Sequence, residues 1–193
     1  MDPKETLWHY LRQSRDDLVG KLDGASEYDV RRPLTPTGTN LLGIVKHVAY
    51  VQLGYFTEVF GRDPGRVLTE PEHGFEINAD LWATADETRE DILELHHHSA
   101  ERSDDTIGDL PLDAPGRVPW WRPESRDVTL RRILVHMVAE TARHAGHADI
   151  VREAIDGQAG MRPGDPNVPR WSPEEWTAYR ERVESAARTW KTG

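Results

Sequence analysis

The sequence predicts an all-α protein of five helices with one long connection between the second and the third. Apolar residues recur at three- and four-residue intervals over most of the chain, and alternating runs of β-branched residues are scarce. Proline and glycine gather in the stretches that separate these periodic segments.

The first helix is expected from about Lys4 to Leu22, with Leu7, Tyr10, Leu11, Leu18 and Leu22 on one face and Gly24 as its stop. The second follows Thr39 or Asn40, both good N-caps, and carries Leu41, Ile44, Val45, Val48, Val51, Tyr55 and Val59 to Gly61. The stretch GRDPGRVLTEPEHGFEINADLWA is too long for a tight turn and is expected to cross the length of the bundle, which permits parallel neighbours. Thr84 and Glu87 have the spacing of a capping box, so a third helix is expected from there to about Ser103. The segment DLPLDAPGRVPWWRPESRD breaks helicity again, and a fourth helix is expected from about Val128 to Ile155, closed by Gly157. Ser172, Pro173 and Glu175 then open a last helix that ends near Trp190. No repeat, low-complexity tract or linker divides residues 1–193, so a single domain is expected.

Of the 193 residues, 37% are hydrophobic and 30% charged, enough for one ordinary core. A formal charge of -10 and a pI near 5.3, with no basic stripe, argue against nucleic acid and anionic lipid as partners. No apolar run reaches the roughly 18 residues of a membrane span, and the N-terminus lacks a signal peptide's apolar core, so the expected location is the cytoplasm. The chain has no cysteine, which removes disulfides, thiolate ligands and a cysteine nucleophile. Any metal must rest on His, Asp and Glu.

Such a set is visible. At about 100° per residue, Glu140 and His144 fall on the face of the fourth helix that carries Leu130, Ile133, Met137, Thr141, Ala148, Val151 and Ile155. Four residues apart, they stack one turn above the other and can converge on one ion. His47, beside Ile44, Val48 and Val51 on the second helix, also points inward by the same projection. Burying a carboxylate and two imidazoles unpartnered would cost several kcal/mol, and a divalent cation satisfies all three. Two His and one carboxylate leave coordination positions open for water or substrate. Spacing alone equally allows Glu140 to pair with an Arg or a neighbouring His and His47 to be a hydrogen-bonded core histidine.

His136 and His147 project toward the edge of the same face and are assigned to the rim of the site, with His147 the alternative to Glu140 as a ligand. His96, His97 and His98 point about 100° apart in turn and read as a solvated face. In PGRVPWWRP, Trp120 and Trp121 stand between prolines, where they either plug the end of the bundle or cover a ligand. On the second reading Arg117, Arg122 and, from the fourth helix, Arg143 are candidates to meet polar groups of a substrate. Trp171, Trp176 and Trp190 read as packing or dimer contacts, and a homodimer is left open.

The stretches TNLLGIVKHVAYVQLGYF, LPLDAPGRVPWW and VTLRRILVHMVAETARHAGHADIVRE, in that order, together resemble the DinB-like superfamily, and its actinobacterial branch most. The resemblance covers most of the chain. It implies a DinB/YfiT-like four-helix bundle with a long crossover between helices 2 and 3, plus the fifth, C-terminal helix. It also implies a divalent metal, zinc first and nickel second, bound at positions that match His47, Glu140 and His144. Many members of the superfamily have His where Glu140 stands, whereas the related mycothiol-dependent maleylpyruvate isomerase has Glu there. That departure tilts the reading toward the mycothiol-using branch, whose relatives transfer low-molecular-weight thiols onto electrophiles. The function implied is thus a metal-dependent thiol S-transferase with mycothiol as co-substrate and an electrophilic small molecule as acceptor. A metal held by two imidazoles and one carboxylate keeps positive charge and lowers the pKa of a thiol. The same site also suits a hydrolase, a thiol-dependent isomerase or a non-catalytic metal-binding stress protein.

Overall fold

The computed structural model describes residues 2–66 and 76–191; residues 67–75, part of the expected crossover, lie outside the described residues. Residues Met1–Pro163 and Gly164–Gly193 form two compact units.

In the first unit, helix α1 spans Pro3–Val19, with Asp2 accepting from Lys4 N as N-cap and Pro3 in the first helical position, and a 3-10 turn continues it through Leu22. A short helix α2, Glu27–Arg31, follows the N-cap Ser26. Five residues are less than two turns and carry no readable period, which is why spacing did not reveal it. Helix α3, Leu41–Phe56, is capped by Asn40, whose side chain accepts from Gly43 N at 2.7 Å. It is buried on most sides, as befits a helix packed against both α4 and α5.

Helix α4 runs Arg89–Asp109. Its capping box is Thr88 with Asp91, not Thr84 with Glu87 as spacing suggested. The Thr84 pair is half formed, Thr84 N donating to Glu87 Oε2 at 2.7 Å, but Glu87 is also drawn to Lys46 Nζ, and residues 84–87 stay outside the helix. Strands β1, Pro115–Arg117, and β2, Asp127–Thr129, pair antiparallel with Gly116 opposite Val128, where only broken helicity was expected. A Cβ on Gly116 would lie 2.8 Å from Phe60 Cε1, so glycine lets this hairpin sit on the turn that follows α3. Helix α5, Leu130–Asp156, is capped by Thr129 and ends at Gly157 with φ 79°; Val128, expected in this helix, belongs to β2.

The apolar core has two clusters. One joins Leu11, Tyr55, Phe56, Ile107, Ile133, Leu134 and Met137 under the hairpin; the other joins Leu18, Leu42, Val45, Val48, Ile92, Ala148 and Val151. The order in which each helix meets them shows α1 and α5 running one way and α3 and α4 the other. Parallel α3 and α4 are the pair that a long crossover permits. Between the clusters lies a buried polar belt of Arg15, Gln52, His96, Ser99, Ser103 and Thr141. No helix among the described residues is long and apolar enough to cross a membrane.

In the second unit, helix α6 spans Pro173–Arg188. Its capping box of Ser172 and Glu175, with Pro173 in the first position, is the one the sequence indicates. Trp171 and Trp176 pack with ring centroids 4.7 Å apart, and Tyr179 touches both.

Candidate metal centre

His47 from α3 and Glu140 and His144 from α5 meet at the level of the polar belt. One ligand atom from each lies within 4.8 Å of the others, and this is the one such group among the described residues. The rings of His47 and His144 stand edge to face with centroids 4.8 Å apart. Glu140 Oε1 lies 3.0 Å from His144 Nε2. All three are half-buried, whereas Thr141, Ala145 and Ala148 on the same helix are buried, so the group occupies the margin of the core face rather than its centre.

The donor set fits a divalent cation. Two ligands on a tetrahedral ion with bonds of about 2.0–2.1 Å stand roughly 3.4 Å apart, so modest side-chain rotations would bring this group onto one ion. Burial first, and the nearby His47 second, lower the pKa of His144 despite Glu140, which favours the neutral ring that a metal requires. Three protein ligands leave positions for an exogenous atom.

His47 has a second neighbour that spacing could not supply. Its Nδ1 lies 2.5 Å from Oδ2 of Asp80, in a 3-10 turn at Ala79–Leu81 within the crossover. Burial would raise the pKa of Asp80, but the hydrogen bond from His47 and the electrostatic attraction of its ring outweigh it and hold the carboxyl below its usual range.

The rim residues divide. His147 is exposed, with its ring 5.5 Å from that of His144. His136 is half-buried one turn before Glu140, its ring 4.7 Å from Tyr55 and 5.2 Å from Trp121. Burial lowers its pKa as well. Tyr55 is the hub of this aromatic group, its hydroxyl accepting from Trp121 Nε1 at 2.7 Å and from Trp120 Nε1 at 3.3 Å. Arg132 stacks on Trp121 at 4.9 Å. Thus Arg132, His136, Glu140 and His144 form one stripe along α5, with the aromatic group about 12 Å from the His144 end. Neither Tyr55 nor Arg132 was singled out from sequence, although Arg132 shares the four-residue spacing of the stripe.

The arginines picked from sequence are not gathered there. Arg117 pairs with Asp127 across the hairpin at 3.0 Å, and Arg122 and Arg143 are exposed. The histidine triplet departs from a solvated face in one member: His97 is exposed and His98 bonds Pro64 O at 2.7 Å, but His96 is buried beside Arg15.

A helical bundle of the DinB-like class, with a His/Glu/His group between its antiparallel α3 and α5, is what the fold and the site define. The model of the family described as mycothiol-S-transferase matches residues 6–157, and the chain belongs to that family. Among solved structures, the crystal structure of a conserved protein from Enterococcus faecalis is similar in fold, with a TM-score of 0.56 at 16% identity, covering 82% of this chain and 99% of that one. No curated protein matches the chain.

Proposed function

We propose that the protein is a divalent-metal-dependent thiol S-transferase that uses mycothiol against an electrophilic small molecule, with zinc, or failing that nickel, held by His47, Glu140 and His144. The observation that carries this reading is the convergence of those three side chains from two helices in a chain of the mycothiol S-transferase family. A divalent cation bound there supplies positive charge that favours the thiolate form of a sulfur brought to it. The chain itself contributes three things. The two imidazoles and the carboxylate leave one side of the centre open, the apolar clusters on either side hold α3 and α5 in place around it, and the aromatic group of Tyr55, Trp120, Trp121 and His136 gives a flat wall for the body of a substrate. Arg132, on the same stripe, offers its guanidinium to an anionic group.

In the reaction the thiol loses its proton and a sulfur–carbon bond forms. For an addition that proton ends on the adduct; for a displacement it departs with the leaving group. Zinc-loaded protein incubated with mycothiol and a haloalkane reporter should yield the S-conjugate, identified by mass, above the uncatalysed rate. His144→Ala should lose it. Equal rates for the two proteins would refute the transferase, and a product lacking the thiol would indicate hydrolysis at the same centre.

A further inference from the structure

Asp80 belongs to a connecting segment without helical period, and its side chain faces His47 only because that segment is clamped to α3. Three features make the clamp. Lys46, buried beside His47 in the sequence, donates through Nζ to Ala79 O at 2.9 Å, Trp82 O at 3.0 Å and Glu87 Oε2 at 2.9 Å, so a charge that would be costly to bury is satisfied by the turn and its flanks. Asn40, the N-cap of α3, donates through Nδ2 to Leu81 O at 3.3 Å. Gly43 supplies the room: a Cβ there would lie 1.9 Å from Leu81 O, a separation that no side chain tolerates. Held by residues 40, 43 and 46 of the helix, the turn delivers its carboxylate to residue 47.

We propose that Asp80 is a positioning residue of the metal centre, fixing the tautomer and ring orientation of His47 so that its Nε2 lone pair faces Glu140 and His144. The inference rests on the metal reading above. A neutral imidazole carries its hydrogen on either nitrogen, but a carboxylate only accepts, so the nitrogen beside Asp80 must be the donor. Nδ1 therefore holds the hydrogen, and Nε2 is left bare as the ligand atom. A carboxylate behind a ligating imidazole limits both ring rotation and tautomer exchange, a support whose loss typically weakens metal binding about 10- to 100-fold. His144 has no such partner beyond Glu140 among the described residues. His47 is thus the ligand that is set before any ion arrives.

The test compares zinc affinity, measured by competition with a chromophoric chelator, for the wild type, Asp80→Ala, Asp80→Asn and His144→Ala. Nitrogen NMR of 15N-histidine-labelled, zinc-free protein reads the His47 tautomer alongside. The wild type should show Nδ1 protonated and Nε2 bare. Asp80→Ala should bind zinc about 10- to 100-fold more weakly, with the His47 signals moving toward the Nε2–H form and the melting temperature of the zinc-free protein little changed. Asp80→Asn keeps the shape but can turn its NH2 toward Nδ1, so it should fall between the two. Wild-type zinc affinity and an unchanged tautomer in both Asp80 variants would overturn the proposal while leaving the metal reading intact. If wild type and His144→Ala both fail to bind zinc, the metal reading falls. The zinc-free tautomer then still decides whether Asp80 orients the ring.

Discussion

Acid should destabilise this protein through His96, by an amount that can be worked out. The residue is 7% exposed on α4, its Nε2 has no hydrogen-bond partner, and burial first, then the guanidinium of Arg15 and the ring of His97, push its pKa down to about 4. The folded protein therefore keeps His96 neutral at pH values where the unfolded chain, with a pKa near 6.5, takes up a proton. Between about pH 6.5 and pH 4 the unfolded state binds more protons, so folding stability falls as the pH falls through that window. Below about pH 4 both states are protonated and the loss stops. A depression from 6.5 to about 4 corresponds to a total of about 3 kcal/mol. Urea unfolding at pH 7, 6, 5 and 4 on the wild type and on His96→Gln, which has nothing to titrate, isolates the effect. Carboxylates held low, such as Asp80 and Glu87, cost stability only as the pH falls below their ordinary values of about 4, at the acid end of this window, and being common to both proteins they cancel in the difference. The wild type should lose about 3 kcal/mol more than the variant between pH 7 and pH 4. Parallel curves would show that His96 is not held neutral by its surroundings.

Two further outcomes follow from the same geometry. Gly43→Ala touches no ligand, yet its Cβ would collide with Leu81 O, so the turn that bears Asp80 must shift, and zinc affinity should fall about tenfold; titration calorimetry giving the wild-type affinity would show that the seat of the turn does not matter to His47. Tyr55→Phe removes the acceptor shared by both indoles; the half-buried Trp121 N–H should cost about 1 kcal/mol, while the more exposed Trp120 turns to water. Denaturation followed by tryptophan emission measures that loss, and an unchanged midpoint would mean the hydroxyl does not anchor the loop.

What could be read from the residues alone tracks where a period exists. Helices α1, α3 and α5 are legible to within a few residues because their apolar positions recur every third or fourth residue over at least four turns, and α6 because Ser172, Pro173 and Glu175 mark its start. The start of α4 was displaced because two capping-box patterns lie in tandem, and only the buried Lys46, by claiming Glu87, decides between them. His47, Glu140 and His144 were legible because helical rotation predicts which way a side chain points. Asp80 was not, since a connecting segment has no rotation to project; the visible hint was a lone Lys46 in the apolar run LLGIVKHVAYV, which had to find acceptors somewhere. His96 differs from its neighbours because three adjacent residues span about 200° of a helix, so on a packed helix one of them can face inward, here in line with Ser99 and Ser103, and the triplet itself does not say which.

The buried polar belt bears on the site in a way that its stability cost alone would obscure. Arg15 donates to Gln52 Oε1 at 2.5 Å and to Asp104 Oδ1 at 2.6 Å, and Gln52 donates to Ser99 Oγ at 2.9 Å, so one chain of bonds ties α1, α3 and α4 together. An apolar layer of the same volume would cost less, but it would tolerate small rotations and slips of α3 that these directional bonds do not. Gln52 lies five residues after His47, about 140° around the helix. When Gln52 is held toward α1 and α4, His47 is turned away from them, toward α5 and its Glu140 and His144. Asp80 then sets the imidazole ring on a helix whose rotation is already fixed. Two levels of control thus act on one ligand, the belt on the backbone and the carboxylate on the ring. Replacing Gln52 with Leu should therefore weaken zinc binding in titration calorimetry while circular dichroism still reports a folded helical protein, and wild-type affinity in that variant would refute the link between belt and ligand.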